Sequence, residues 1–134
     1  MHKPLGLILI LVTSVSWAEA PAPGDVRIEH DLLGEKAIPA TALYGVQTAR
    51  ALENFQISSR QLADYPELVD GIVYTKIAAA QANTDVGKMD KDVRKAIEAG
   101  GKAILAGKYR DQFPIDPFQG GAGTSTIMNA NEVM

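Results

Sequence analysis

The sequence predicts a mainly α-helical chain with one short extended or hairpin segment ahead of the helices. Three observations carry this. Apolar residues recur at helical spacing through two long stretches. Prolines and glycines stand between such stretches rather than inside strand-like runs. Weak alternation occurs only once, around Val26 and Ile28, so no larger sheet is expected. The 134 residues suffice for one modest domain.

The opening "MHKPLGLILILVTSVSWAEA" has a basic start at His2 and Lys3, an apolar run from Leu5 to Val15, and small residues at Ser16, Ala18 and Ala20. This is the layout of a secretory signal peptide, and the run is too short to span a bilayer comfortably. Cleavage after Ala18 is expected, leaving a periplasmic or secreted chain with no stable membrane anchor. Residues 19–26, including "APAPG", form a linker, and 27–134 form the folded unit.

"DVRIEHDLLGEKAIP" is expected to extend, turn at Gly34 and end at Pro39. "ATALYGVQTARALENF" reads as a helix after a bend at Gly45, with Ala49, Leu52 and Phe55 on one face. Asp64 is expected to cap the first long helix, with Pro66 in its first turn and Glu67 completing a capping box. Val69, Ile72, Val73, Ile77 and Ala80 form its apolar stripe. Ala78 to Ala80 and Ala82 make a flat surface for close approach of another helix. Gly87 ends that helix and Asp90 starts the next, whose face carries Val93, Ile97, Ile104 and Leu105. Gly100 and Gly101 weaken its middle by about 1 kcal/mol each relative to alanine, and Gly107 stops it. Pro114 and Pro117 leave "RDQFPIDPFQ" irregular. Thr124 or Ser125 is expected to cap a last helix.

Composition narrows the chemistry. The net charge is -3 and aromatic residues make up 6% of the chain. No basic stripe is present, so nucleic acid is not an expected partner. No cysteine occurs, which removes disulfides, thiolate metal sites and cysteine nucleophiles. With only His2 and His30, a histidine-rich metal site is excluded.

"QGGAGTS", from Gln119 to Ser125, is the segment most suggestive of a site. Glycines permit positive φ, and successive N–H groups ahead of a helix form an anion-binding concavity. A phosphate loop would place lysine where Thr124 stands, and a dinucleotide fingerprint would place a third glycine at Thr126. A cradle for a small carboxylate and a ligand-free capping turn both remain open.

"DLLGEKAIPATALYGVQTARALENF" and "DQFPIDPFQGGAGTSTIMNANEV" together resemble the N-terminal domain of the aspartase/fumarase superfamily, over Arg27 to Val133. Within it, "YGVQT" and "QGGAGTS" are similar to the aspartate ammonia-lyases, whereas class II fumarases read "WGAQT" and "QTGSGTQSNMN". The resemblance implies a small helical domain without the central helix bundle that builds the family's homotetramer. It implies a cofactor-free carbon–nitrogen lyase that interconverts L-aspartate with fumarate and ammonia. A base removes a Cβ proton, and preorganised donors stabilise the resulting dianion before the amine leaves.

Residue by residue, Thr124 matches the threonine that binds a substrate carboxylate, flanked by Gly123 and Ser125 as backbone donors. Arg50 matches an arginine implicated in substrate binding, the alternative being a surface ion pair with Glu53. Asn129 and Asn131 are expected as buried amides satisfied by neighbouring helices, and Tyr44 as a packing residue. The family commonly has asparagine where Ile127 stands, so one polar contact is lost. The family's base serine lies in a downstream "GSSxMPxKxN" segment, so no catalytic residue is assigned here. The chain is expected to be a lyase fragment, inactive alone. A class II fumarase-like fragment, or a non-catalytic remnant that binds a dicarboxylate or a lyase subunit, is the alternative.

Overall fold

A computed structural model describes residues 24–134. The expected signal peptide, residues 1–18, and most of the linker lie outside them.

The extended segment is an antiparallel hairpin of β1 (Val26–Asp31) and β2 (Gly34–Pro39), with Val26 opposite Pro39 and Asp31 opposite Gly34. Gly34 turns the chain at a φ of 107°, where a side chain would be strained. Beside it, Asp31 Oδ1 accepts the N–H of Leu33 (2.8 Å). Alternation gives the ribbon two unlike faces. Arg27, Glu29, Asp31 and Lys36 are half-buried on the face that also carries buried Ile38. Val26 and Ile28 are exposed. Arg27 donates to the carbonyls of Pro39 (3.0 Å), Ala42 (2.6 Å) and Tyr44 (2.6 Å), tying the hairpin to the chain that enters α1 (Val46–Asn54).

A 3-10 turn at Leu62–Asp64 precedes α2 (Pro66–Asp85). Pro66 takes the first helical position, where its missing N–H would have had no partner. Asp64 does not cap this helix. It closes a reciprocal box with Gln61 around the 3-10 turn, accepting the Gln61 N–H (3.0 Å), and Tyr65 takes the N-cap place with no side-chain bond. The 3-10 turn, which helical periodicity does not show, engages the acid before α2 starts.

Gly87, at a φ of 69°, turns the chain into α3 (Lys91–Leu105), which Asp90 caps by accepting the Asp92 N–H (2.7 Å). Gly101 is buried where α3 meets α2, and a β-carbon there would stand 2.8 Å from Ile77 Cδ1. The glycines that lower helix propensity thus permit close approach. Of the alanine surface on α2, only Ala80 is buried, while Ala78, Ala79 and Ala82 are exposed. A second 3-10 turn spans Arg110–Gln112, and α4 covers Thr124–Val133.

The core joins Ala51 of α1, Leu62, Val69 and Val73 around α2, Ile104 of α3, Phe113, Ile115, and Ala130 of α4. Phe113 and Ile115 come from the irregular proline-containing segment. Their carbonyls accept the N–H groups of Ala63 (3.0 Å) and Leu62 (2.8 Å) respectively. Those bonds satisfy backbone that would otherwise be buried unpaired. No helix among the described residues is long and apolar enough to cross a membrane.

Candidate functional site

The glycine loop is an open turn on the surface leading into α4. Gly121 and Gly123 adopt left-handed φ values of 83° and 74°, a conformation that glycine takes without steric cost. Gly123 is the N-cap of α4, and no side chain caps that helix, so neither Thr124 nor Ser125 plays that part. The left-handed turn at Gly123 brings the chain into the helix directly, and both hydroxyl residues fall inside the first turn.

Gln119 braces the loop. Its amide donates to Thr126 Oγ1 (2.9 Å) and to the Asp116 carbonyl (3.2 Å), and its carbonyl accepts the Thr126 N–H (3.3 Å). The Ile127 N–H bonds the Gly123 carbonyl (3.2 Å). The N–H groups of Thr124 and Ser125 are left without an acceptor among the described residues. Thr124 is exposed and Ser125 half-buried. Two free donors at the positive end of a ten-residue helix, with hydroxyls beside them, are suited to an anionic oxygen.

Asp116 anchors the approach to the loop. Its carboxylate accepts the N–H groups of Ile57 (2.8 Å), Ser58 (2.5 Å) and Phe118 (2.8 Å), and the Ser58 hydroxyl (3.0 Å). The Ser58 N–H foremost, with that of Phe118 next among the donors, holds the carboxyl below its ordinary pKa against the opposing effect of burial.

Arg50 lies on α1, a separate element from the three loop residues, and its guanidinium is engaged. Nε and Nη2 donate to the two oxygens of Asp31 (2.8 Å each), and Nη2 also reaches the Gly34 carbonyl (3.1 Å). This two-pronged bond lowers the Asp31 pKa and raises that of Arg50. Glu53, the ion-pair partner suggested by helical spacing, instead pairs with Lys36 across to β2.

Asn129 is fully buried, and its Nδ2 donates to the Gln112 carbonyl (3.0 Å), while its Oδ1 has no partner among the described residues. Asn131 is exposed and its Oδ1 accepts from Lys76 Nζ. Ile127 is exposed beside Leu68, Gly71 and Ile72, lining a cleft of 330 Å³ along α2. That cleft contains no residue of the 119–126 loop. No cluster of three or more histidine, aspartate or glutamate side chains among the described residues is arranged to hold a metal.

The N-terminus of α1 is capped from outside its own sequence. Glu132 of α4 accepts the N–H groups of Gly45 (2.9 Å), Gln47 (2.8 Å) and Thr48 (3.0 Å), and Glu29 of β1 accepts that of Val46 (2.9 Å). Neither carboxylate, nor Gln119 or Asp116, is singled out by local sequence. For Glu132 the signal is indirect: a helix that starts after Gly45, with no capping side chain of its own, requires an acid from elsewhere.

The model of a family described as "Lyase" matches residues 34–134. An aspartate ammonia-lyase of Escherichia coli (strain K12) is 52% identical over 111 residues, which are 82% of this chain and 23% of that protein. The chain therefore spans about a quarter of the length of that relative. Among solved structures, a fumarate lyase (delta crystallin) of Brucella melitensis superposes with a TM-score of 0.79 at 46% identity, over 81% of this chain and 25% of that one. A class II fumarase of Schistosoma mansoni gives 0.73 at 31%, over 81% of this chain and 23% of that one. With the four helices and the glycine loop inside the family match, the chain belongs to the lyase family of the aspartase/fumarase superfamily.

Proposed function

We propose that this chain is the N-terminal portion of an aspartate ammonia-lyase, and that its glycine loop holds one carboxylate of L-aspartate or fumarate. The observation that carries this reading is the braced, left-handed entry to α4, with the free N–H groups of Thr124 and Ser125 beside the exposed Thr124 side chain. Such donors are fixed before substrate arrives. They gain most when negative charge grows on the carboxylate as the Cβ proton leaves, because no reorganisation is then required of them. The identity of 52% to an aspartate ammonia-lyase, against 31% to a class II fumarase, favours an amine over a hydroxyl as the group expelled.

The described residues include no assigned base, so proton removal belongs to other parts of the enzyme. The homotetrameric assembly implied by the resemblance, and export directed by residues 1–18, belong to the same proposal. Cell fractionation tests the export, which predicts the chain in the periplasmic fraction, shortened at Ala18.

The functional reading is tested by a chimera in which residues 27–134 replace the matching segment of the E. coli relative. Fumarate formation from L-aspartate is the expected result. A folded tetrameric chimera that turns over malate but not aspartate would reassign the chain to the fumarases. One inactive towards both would favour a non-catalytic binding role.

A further inference from the structure

The α1 N-terminus is held by two carboxylates from distant parts of the chain, and one of them belongs to the helix that carries the glycine loop. We infer that Glu132 is a positioning residue, which splints the end of α4 to the start of α1 and so fixes the direction in which the Thr124–Ser125 donors face.

The geometry is specific. One carboxylate accepts three backbone N–H groups at 2.8 to 3.0 Å, spanning the N-cap Gly45 and the first turn at Gln47 and Thr48. These are donors that the helix cannot satisfy itself, and α1 has no side-chain cap of its own. Gly45 makes the approach possible. A β-carbon there would stand 2.7 Å from Glu29 Oε2 and 2.9 Å from Glu132 Oε1, closer than such atoms approach. The absence of a side chain at 45 and the acid at 132 are therefore two halves of one joint. Negative charge at this end of α1 is also favoured by the helix dipole.

The joint matters for the loop because α4 is a short rod. Thr124 and Glu132 stand at its two ends, about 12 Å apart along the helix. A swing of about 5° at the Glu132 end would move the Thr124 end by about 1 Å, a displacement large enough to matter for substrate positioning. Gln119 braces the loop to Thr126, itself part of α4, and Asn129 and Ala130 seat the middle of the rod. Ala130 packs in the core with Ala51 of α1, and to that non-directional contact Glu132 adds the hydrogen-bonded tie that orients α4 against α1, the helix that bears Arg50.

For its effect on ligand this inference rests on the proposed carboxylate role, but the helix geometry can be read without any ligand. The 134-residue chain, labelled with nitrogen-15 and carbon-13, is examined by NMR. Couplings through hydrogen bonds from the amides of Gly45, Gln47 and Thr48 to the Glu132 carboxyl carbon are expected, and their absence overturns the inference even if every variant misfolds. In Glu132→Gln and in Gly45→Ala, residual dipolar couplings should report a changed angle between α1 and α4, and the Thr124 and Ser125 amide signals should move. An unchanged angle in folded variants would also overturn it. With succinate as probe, Glu132→Gln should weaken binding at the loop about tenfold, as a misdirected donor pair would. If wild-type chain takes no succinate while the angle still changes, the carboxylate reading fails and the positioning role of Glu132 stands.

Discussion

Thr124 is exposed and its side chain is bonded to nothing among the described residues, so its hydroxyl is available for recognition at little cost to the fold. In an enzyme containing this segment, Thr124→Val keeps the shape and removes the donor. We expect kcat to fall by about 100-fold or more, with a melting temperature close to that of wild type. Unchanged kinetics would reduce the loop to a helix entry. Asp116 makes the opposite kind of prediction. Its folded pKa lies below its unfolded value because backbone donors at Ser58 and Phe118 favour the ionised form. The stability it contributes is therefore complete above its unfolded pKa, about 4, and is lost as pH falls through the lower folded value. Asp31, held down by Arg50, adds in the same direction. Thermal unfolding followed from about pH 6 to about pH 2 should show the wild type losing stability below about pH 4. Asp116→Asn should be less stable at the upper end of that range and lose less on acidification. Parallel profiles would contradict this assignment.

At the scale of elements, the segment with no regular structure supplies the centre of the core. Phe113 and Ile115 are fully buried, and their carbonyls pair with Ala63 and Leu62. Phe113→Ala should cost about 3 to 5 kcal/mol in chemical denaturation, and a loss below about 1 kcal/mol would show that the segment packs loosely. The helices, by contrast, were legible beforehand. The Val69, Val73 and Ala80 spacing, the Asp90 cap and the Gly87 stop all appear where periodicity and capping chemistry place them. The prolines of "RDQFPIDPFQ" correctly forbid a long helix, but nothing local distinguishes a surface loop from one threaded through the core. Asp64 is misplaced for a local reason, since a 3-10 turn that helical periodicity does not show offers it the Gln61 N–H. The limit of local sequence does explain the unforeseen Glu132. Which backbone donor an acid reaches depends on neighbours up to 87 residues away, set by tertiary packing rather than by spacing.

For the molecule as a whole, the loop face stands open, with Gly120, Gly121, Ala122 and Thr124 all exposed. Nothing from the described residues covers it, and an open face leaves water competing for the anion. The 134-residue chain, incubated with L-aspartate at millimolar concentration, is accordingly expected to yield no fumarate above background by absorbance. Turnover would show that a base and a closed pocket already exist within it. The candidate site was partly legible in its placement: the glycines, Thr124 and Ser125 sit together at the α4 entry, while Gln119, which braces the loop, was visible only as the first letter of its motif. Arg50 is engaged by Asp31 through a hairpin contact that helical spacing does not reveal.

The central claim is that two backbone N–H groups at the start of α4, with the Thr124 hydroxyl, receive a carboxylate. Titrating the nitrogen-15-labelled chain with succinate while following every amide tests it most directly. Saturable shifts concentrated at Thr124 and Ser125, abolished in a folded Gly123→Ala variant whose left-handed turn is disfavoured, are the predicted result. Shifts spread evenly over the surface, or none at those two amides up to tens of millimolar ligand, would contradict it.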